Sequence, residues 1–423
     1  MPHDDRVWRA DQGGHRSGPW RAARCGGDCR HSRAARLGHP PFVIPADILA
    51  EWRAAGARGE DLRGSWEARV NSLSAERRAE FLRRQRNELP PHLDSAIAKV
   101  CDGFRQANAK VATRQASGTV LDTLTRVVPE VVGGSADLTP SNNTKAKDQK
   151  DVRRGDFSGR YIRYGVREHG MAAAMTGVAV HGGLIPYGSK FLTFSDYSRP
   201  SIRLSAFMGV GVIYVMTHDP IGLGEDGPTL QPVEHLGALR AIPGLHVYSP
   251  ADPVETAECW ALALRRRDAP SLLALTRQSL PLLRRERGHE NRSARGAYVL
   301  AGTRQVTLLA TGSEVSVAMA ARAALAQEGI RAAVVSMPCW EIFGNATDEY
   351  QDAVLGSASR VSVEAAVHFG WDRWLGARSA FIGMEGFGAS APGEALFPHS
   401  ASRLKRLQRR PARSYRLTRS FGR

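Results

Sequence analysis

From about Ala112 to Pro281, short apolar runs alternate with longer stretches of helical periodicity, and this alternation confines the chain to one broad class of fold. The runs YGVREHG, GVIYVMTHD and GLHVYSP read as strands, and SGTVLDTLTRVV, AAAMTGVAVHG and PVETAECWALALRR read as helices. Strands that take turns with helices build a parallel sheet with helices on both faces, because each crossover must pack back onto the sheet. The longest apolar stretch, Phe207 to Met216, reads as a buried strand and is far short of the ~20 residues that a membrane-spanning helix needs. A second, smaller α/β unit is expected from near Gly296, with VTLLATGS and RAAVVSMP as strands around the helix EVSVAMAARAALAQEG, continued by VSVEAAV and AFIGMEGFG.

Before the first unit, Ile48, Leu49, Trp52, Trp66, Val70, Leu73, Phe81 and Leu82 recur at helical spacing among many charges, which predicts two or three amphipathic helices ending before Pro90 and Pro91. The expected organisation is therefore a 1–40 segment with no packed domain, a helical linker over 41–107, an α/β domain over 108–290, a second over 297–400 and a basic tail over 401–423.

The net charge of +16 lies mostly at the ends. Residues 1–40 carry +4 and residues 401–423 carry +9, leaving only +3 for the body. A nearly neutral body offers no phosphate-tracking surface, so no specific nucleic-acid partner is expected. The N-terminus develops no apolar signal core, and no membrane association is expected. Five scattered cysteines do not make a disulfide framework, and reduced thiols fit a cytoplasmic protein. Cys25, Cys29 and His31 lack the fourth ligand that a zinc site requires, so no metal is assigned.

The chemistry concentrates in strand-end loops, where open parallel sheets bind ligands. RYGVREHGM delivers Glu168 into a helix start. Alone, such a glutamate is usually a carboxylate steadied by the helix dipole. Shortly afterwards Phe191, Phe194 and Tyr197 lie three apart, a spacing that suits core packing or one wall of a pocket. Then THDPIGLGEDGPTLQPVEHL places His218, Glu225 and Asp226 in a loop whose Gly222, Gly224 and Gly227 permit tight turns beside a ligand. GGSADLTPSN, Gly133 to Asn142, is a second such loop.

Taken in order, FVIP, GGSADLTPSN, YGVREHGM, HGGLIPY, FLTFSDYSR, THDPIGLGEDGPT, TRQSL, ATGSEV and VVSMP resemble single-chain transketolases from about Pro41 to Pro398. The resemblance implies a thiamine-diphosphate enzyme that moves a two-carbon ketol unit from a ketose phosphate to an aldose phosphate. It implies that Glu168 bonds N1′ of the cofactor's aminopyrimidine, as a carboxyl buried among apolar rings that shares its proton with the ring. Phe191, Phe194 and Tyr197 would form the pyrimidine pocket, with Leu138 pressing the cofactor into its bent form and Asp137 near its thiazolium. Arg114, Ser141, His218 and Arg277 would surround the sugar phosphate, and Asp226 would bond a donor hydroxyl; Glu168 and His218 are the catalytic candidates.

Two departures stand out. Leu230 occupies a position that is usually His in bacterial-type members, which implies weaker handling of substrate hydroxyls. The Gly-Asp-Gly motif that would hold Mg²⁺ and the diphosphate does not occur, so those ligands are expected on a missing N-terminal domain and the chain alone is expected to be inactive. Truncation is the expectation, with frameshifts as the source of the Arg-rich ends. The partners implied are sugar phosphates and either a second copy or a separate diphosphate-binding domain. The competing readings are a noncatalytic or regulatory relative and a dihydroxyacetone-synthase-like paralogue.

Overall fold

The computed structural model describes residues 39–40, 42–286, 288 and 290–400; the Cys25, Cys29 and His31 cluster, nearly all of the 1–40 segment and the 401–423 tail lie outside them. The chain divides into two compact units, residues up to Glu80 and residues from Phe81 onward.

The first unit holds α1 (Ala46–Asn71) and the start of α2 (Ala75–Gln85). Pro45 precedes α1, Asp47 lies in its first turn and Arg69 in its last, charges that complement the helix dipole. No residue of α1 is buried, and Trp52 and Leu62 are 73% and 74% exposed. Within this helix Leu49 and Val70 reach only half-burial. The first of these helices to bury a stripe is α3 (Leu93–Gln106), through Leu93, Ala96, Ile97, Cys101 and Phe104.

The second unit contains two sheets. The first is wholly parallel, with strands β1 (Val131–Ser135), β2 (Tyr161–Arg163), β3 (Ile185–Phe191), β4 (Ile213–Thr217), β5 (His246–Tyr248) and β6 (Ser271–Leu275) in the order β2-β1-β3-β4-β6-β5. Successive side chains of a strand point to opposite faces, and here both faces are covered. Ile213 and Val215 pack with α3, α4 (Thr113–Val127) and α9 (Pro253–Arg265) on one face. Tyr214 and Met216 pack on the other, against α6 (Glu168–His181) and α7 (Ser195–Phe207). The short helices α5 (Thr139–Asn142) and α8 (His235–Arg240) follow β1 and β4. The strand thus needs apolar residues without interruption, which is why it reads as a run. Its start differs from expectation: Phe207 closes α7 and is 81% exposed, so the buried strand begins only at Ile213.

Trp260 on α9 is fully buried, donates to Ser117 Oγ at 2.8 Å and meets Tyr187 edge-on at 5.8 Å. The N-terminus of α4 is tied to the end of β6, where Thr276 N donates to Thr113 Oγ1 at 2.7 Å and Arg114 N to Thr276 O.

The second sheet has the order β11-β10-β8-β9-β7, from β7 (Tyr298–Ala301), β8 (Val306–Ala310), β9 (Ala332–Ser336), β10 (Ser359–Val363) and β11 (Ser379–Ile382). All neighbours are parallel except β7 on β9, which is antiparallel with an irregularity between Val299 and Ala301. The helix α10 (Glu314–Gln327) packs on β8 and β9 through Val315, Ala318, Ala321 and Leu325. The architecture is α/β, a parallel sheet helical on both faces followed by a smaller mixed-sheet domain, as the alternation of runs indicated.

Candidate active site

The sequence-derived candidates follow the carboxyl ends of β1, β2, β3, β4 and β6, with Arg114 joining them from the start of α4. In the order β2-β1-β3-β4-β6-β5 the chain direction of travel reverses around β1 and β3, and ligands of open sheets bind at such reversals.

After β2, four residues lead to the Glu168 that opens α6, and its side chain is folded inward with the residue only 8% exposed. At the end of β3, Phe191, Phe194 and Tyr197 form a ladder of rings, with centroids 5.9 Å and then 5.8 Å apart and both pairs stacked. Phe191 is buried and Tyr197 is 63% exposed, so the ladder runs from the core to an open aromatic face. Packing alone would hide all three, and the open end is what a flat ligand ring can cover.

After β4, His218 adopts φ +65°, a left-handed conformation uncommon for a side chain other than glycine. Its ring lies 3.7 Å from that of Phe191, centroid to centroid. Thr217 Oγ1 holds Nδ1 at 2.8 Å and itself donates to Asn142 Oδ1 at 2.9 Å. Arg114 Nη1 lies 3.4 Å from Nε2 and donates to Ser141 O at 2.5 Å. Burial, with the charges of Arg114 and Arg277, pushes the imidazole down to about 3, so His218 is neutral wherever the protein is folded at ordinary pH. Two neighbouring donors lack partners: Arg114 Nε and Asn142 Nδ2 are buried and unbonded. Orphaned donors beside a basic cluster are placed to receive an anion's oxygens.

After β6, Arg277 donates to Leu223 O at 2.6 Å and to Asp226 Oδ1 at 3.0 Å. The loop carrying Asp226 turns through Gly224 and Gly227 at φ +93° and +95°, conformations that glycine adopts without strain. The second domain steadies this loop: Gln231 Nε2 donates to Ala389 O at 2.8 Å, and Ser390 Oγ donates to Glu225 O at 2.8 Å. Leu230 is half-buried in it. Asp137, at φ +64° and exposed, and the half-buried Leu138 follow β1, where Leu138 N donates to Ser135 Oγ at 3.2 Å. Contacts join Phe191, Phe194, Tyr197, His218, Arg114 and Ser141 into one cluster, and Arg277 with Asp226 into a pair beside it.

Two features were not legible as site residues in the sequence. Glu168 is not simply enclosed by apolar rings: Lys190 Nζ lies 2.9 Å from its Oε1, with both side chains largely buried. Behind His218 sits a second cluster of buried acids, Asp219, Glu314 and Glu364, near a single guanidinium, Arg240, which pairs with Glu364 at 2.8 and 3.1 Å. Burial raises Asp219 to about 7 and Glu314 to about 8, and neighbouring carboxylates add to both shifts. Residues far apart in sequence build each of these clusters, and no local pattern announces them.

Among the described residues, one trio offers three metal-ligating atoms together, Asp196, Glu234 and His235, and its His235 already meets Asp196 Oδ2 at 3.2 Å. No described group of carboxylates faces the ladder in the manner that a diphosphate-bound metal ion requires.

Comparison with known proteins gives matches across most of the chain. Residues 109–282 match the family model of the transketolase pyrimidine-binding domain, and residues 296–401 that of the transketolase-like C-terminal domain. A transketolase of Sinorhizobium medicae is 54% identical over 366 residues, 85% of this chain and 52% of that protein. Among solved structures, transketolase from Leishmania mexicana is 38% identical with a TM-score of 0.83, over 92% of this chain and 58% of the other. The Pichia stipitis transketolase in complex with sedoheptulose 7-phosphate is 37% identical with a TM-score of 0.83, over 90% and 57%. The chain spans about half the length of the curated relatives it matches.

Proposed function

The chain belongs to the transketolase family through its pyrimidine-binding and C-terminal domains, and from that premise we propose that it forms the pyrimidine-facing part of a thiamine-diphosphate site for two-carbon ketol transfer between sugar phosphates. The observation that carries the reading is a buried carboxylate, Glu168, linked through Lys190 Nζ to a ring ladder whose last member is open. That combination suits a flat heteroaromatic ring with a basic nitrogen. Such a ring covers Phe194 and Tyr197 and presents its edge to Glu168.

Bound thiamine diphosphate supplies the carbon nucleophile and the electron sink. The residues of this chain do the rest. Glu168 holds a proton at the ring nitrogen, and Leu138 and Asp137 bound the space between the ring and the sugar. Arg114 and Arg277 provide guanidinium forks for a sugar phosphate, with Ser141 beside them and Asp226 fixing Arg277 while leaving an oxygen for a hydroxyl. His218, being neutral, carries one ring nitrogen held by Thr217 and offers Nε2 to a substrate oxygen. Leu230 offers no hydrogen-bonding group to this wall.

The described residues fit the pyrimidine end of the cofactor and contain no ligand set for Mg²⁺ and the diphosphate beside it. Those groups then come from a separate diphosphate-binding domain. Calorimetric titration with thiamine diphosphate and Mg²⁺, with and without a separately expressed diphosphate-binding domain of a full-length relative, tests this. Binding is expected only with the added domain, and Glu168→Ala should then abolish ketol transfer. Tight binding by the chain alone would contradict the division of labour, and absence of binding in both cases would remove the reading.

A further inference from the structure

Lys190 is the feature of this site that the proposed chemistry does not call for. It lies one residue before Phe191 on β3, a strand whose seven residues are all buried, and is itself 4% exposed. Its ammonium has three N–H groups and three neighbours that suit them. One is Glu168 Oε1 at 2.9 Å, the second is the carbonyl of Ala136 at 2.6 Å, and the third is the face of Phe194, whose centroid lies 5.0 Å away. The side chain is satisfied on every side without any ligand, and its position places a positive charge on the ring ladder itself.

The consequence for Glu168 follows from the energetics of buried ion pairs. Two opposite charges in a desolvated pocket are tolerated because each compensates the other, and removing one leaves the other buried and unpaired. A neutral pyrimidine nitrogen accepts a hydrogen bond, so it needs Glu168 as a carboxylic acid, which strands the Lys190 charge. A protonated pyrimidine nitrogen suits the carboxylate, but it brings a second cation to a carboxylate already claimed by the first. Both modes of ring binding are weakened by the same ammonium.

We propose that Lys190 is a positioning residue that locks Glu168 as a paired carboxylate, so that an aminopyrimidine must compete with Lys190 for it. This rests on the pyrimidine-site reading and adds a restraint to it. The lock acts through Glu168 and through charge. Replacing Lys190 by a neutral side chain should therefore strengthen ring binding, whereas a merely structural lysine would weaken binding when replaced.

The test uses the full chain and the free 4-amino-5-hydroxymethyl-2-methylpyrimidine that forms half of thiamine, a probe that needs no diphosphate site. Its affinity is measured by saturation-transfer NMR for the wild type, Lys190→Met, Lys190→Gln and Lys190→Arg. Far-ultraviolet circular dichroism verifies folding, and Lys190→Gln, which keeps a donor for Ala136, carries the test if Lys190→Met does not fold. The two neutral variants are expected to bind about tenfold more tightly than wild type, the effect of one charge-assisted hydrogen bond. Lys190→Arg keeps the charge and should stay near wild type. Adding Glu168→Gln to either neutral variant should erase the gain. Equal or weaker binding by both neutral variants, with wild-type binding measurable, overturns the lock and leaves the pyrimidine site standing. No binding by any variant overturns the site and the lock with it.

Discussion

Glu314→Gln should make the stability of this protein less sensitive to alkaline pH, and the structure sets the size of the effect. Glu314 begins α10, is 3% exposed and accepts a hydrogen bond from Ser313 Oγ at 2.6 Å. Its surroundings contain the carboxyls of Asp219 and Glu364, while the nearby guanidinium of Arg240 is already committed to Glu364. Burial first, and Asp219 second, raise Glu314 from 4.5 to about 8. The folded state therefore holds this proton more tightly than the unfolded chain does. The stability this group contributes is fully present below pH 4.5 and is lost as pH rises toward 8. At 1.36 kcal/mol per unit, and allowing for partial titration at both limits, the loss from about pH 5 to about pH 8 is roughly 3 kcal/mol. Glutamine has the shape of the protonated acid and no proton to lose. Urea denaturation followed by tryptophan fluorescence at the two pH values should show wild type losing about 3 kcal/mol more than Glu314→Gln across the interval. Asp219, raised to about 7, gives both proteins a residual slope of the same sign. Parallel pH profiles for the two proteins would refute the burial argument, and a steeper profile for the glutamine variant would reverse it.

Arg240→Met should lower stability by about 3–5 kcal/mol, because it leaves Glu364 buried with Trp371 Nε1 at 2.8 Å as its remaining described partner; a shift in urea midpoint checks this. Cys101, Cys259 and Cys339 are buried, and desolvation pushes Cys101 up to about 12 and the other two well above the ordinary thiol range. In native protein these three should resist a thiol reagent such as dithionitrobenzoate, and all three should react once denaturant is added.

The two-faced parallel sheet was visible in the sequence because strands buried on both sides must be apolar at successive positions, as Ile213 to Met216 show. The position of Glu168 was visible for a similar reason: only four residues separate β2 from a helix whose N-terminus carries it. What escaped were relations between distant residues. Lys190 reads as an ordinary polar residue within FLTFSDYSR's approach, and only the pairing of β3 beside β1 brings it to Glu168 and Ala136. Asp219, Glu314 and Glu364 come from three separate strand ends. The antiparallel seating of β7 depends on which strand it joins, and its own four residues do not say. The helical spacing before Pro90 corresponds to helices at Ala46–Asn71 and Ala75–Gln85, although periodicity does not say what an apolar face meets.

The tie between Thr113 and Thr276 also fixes a timetable. These residues are 163 apart in sequence, and a ribosome adding 5–20 residues per second needs roughly 10–30 s to travel between them. During that interval β4 has emerged with apolar side chains on both surfaces, while its neighbour β6 does not yet exist. β4 ends at Thr217 and β6 begins at Ser271, so for about the last third of that interval the open edge of β4 is exposed to mispairing. Slowing translation around Ser271 to Arg277 should therefore increase its dependence on chaperones more than slowing it anywhere after Gly296.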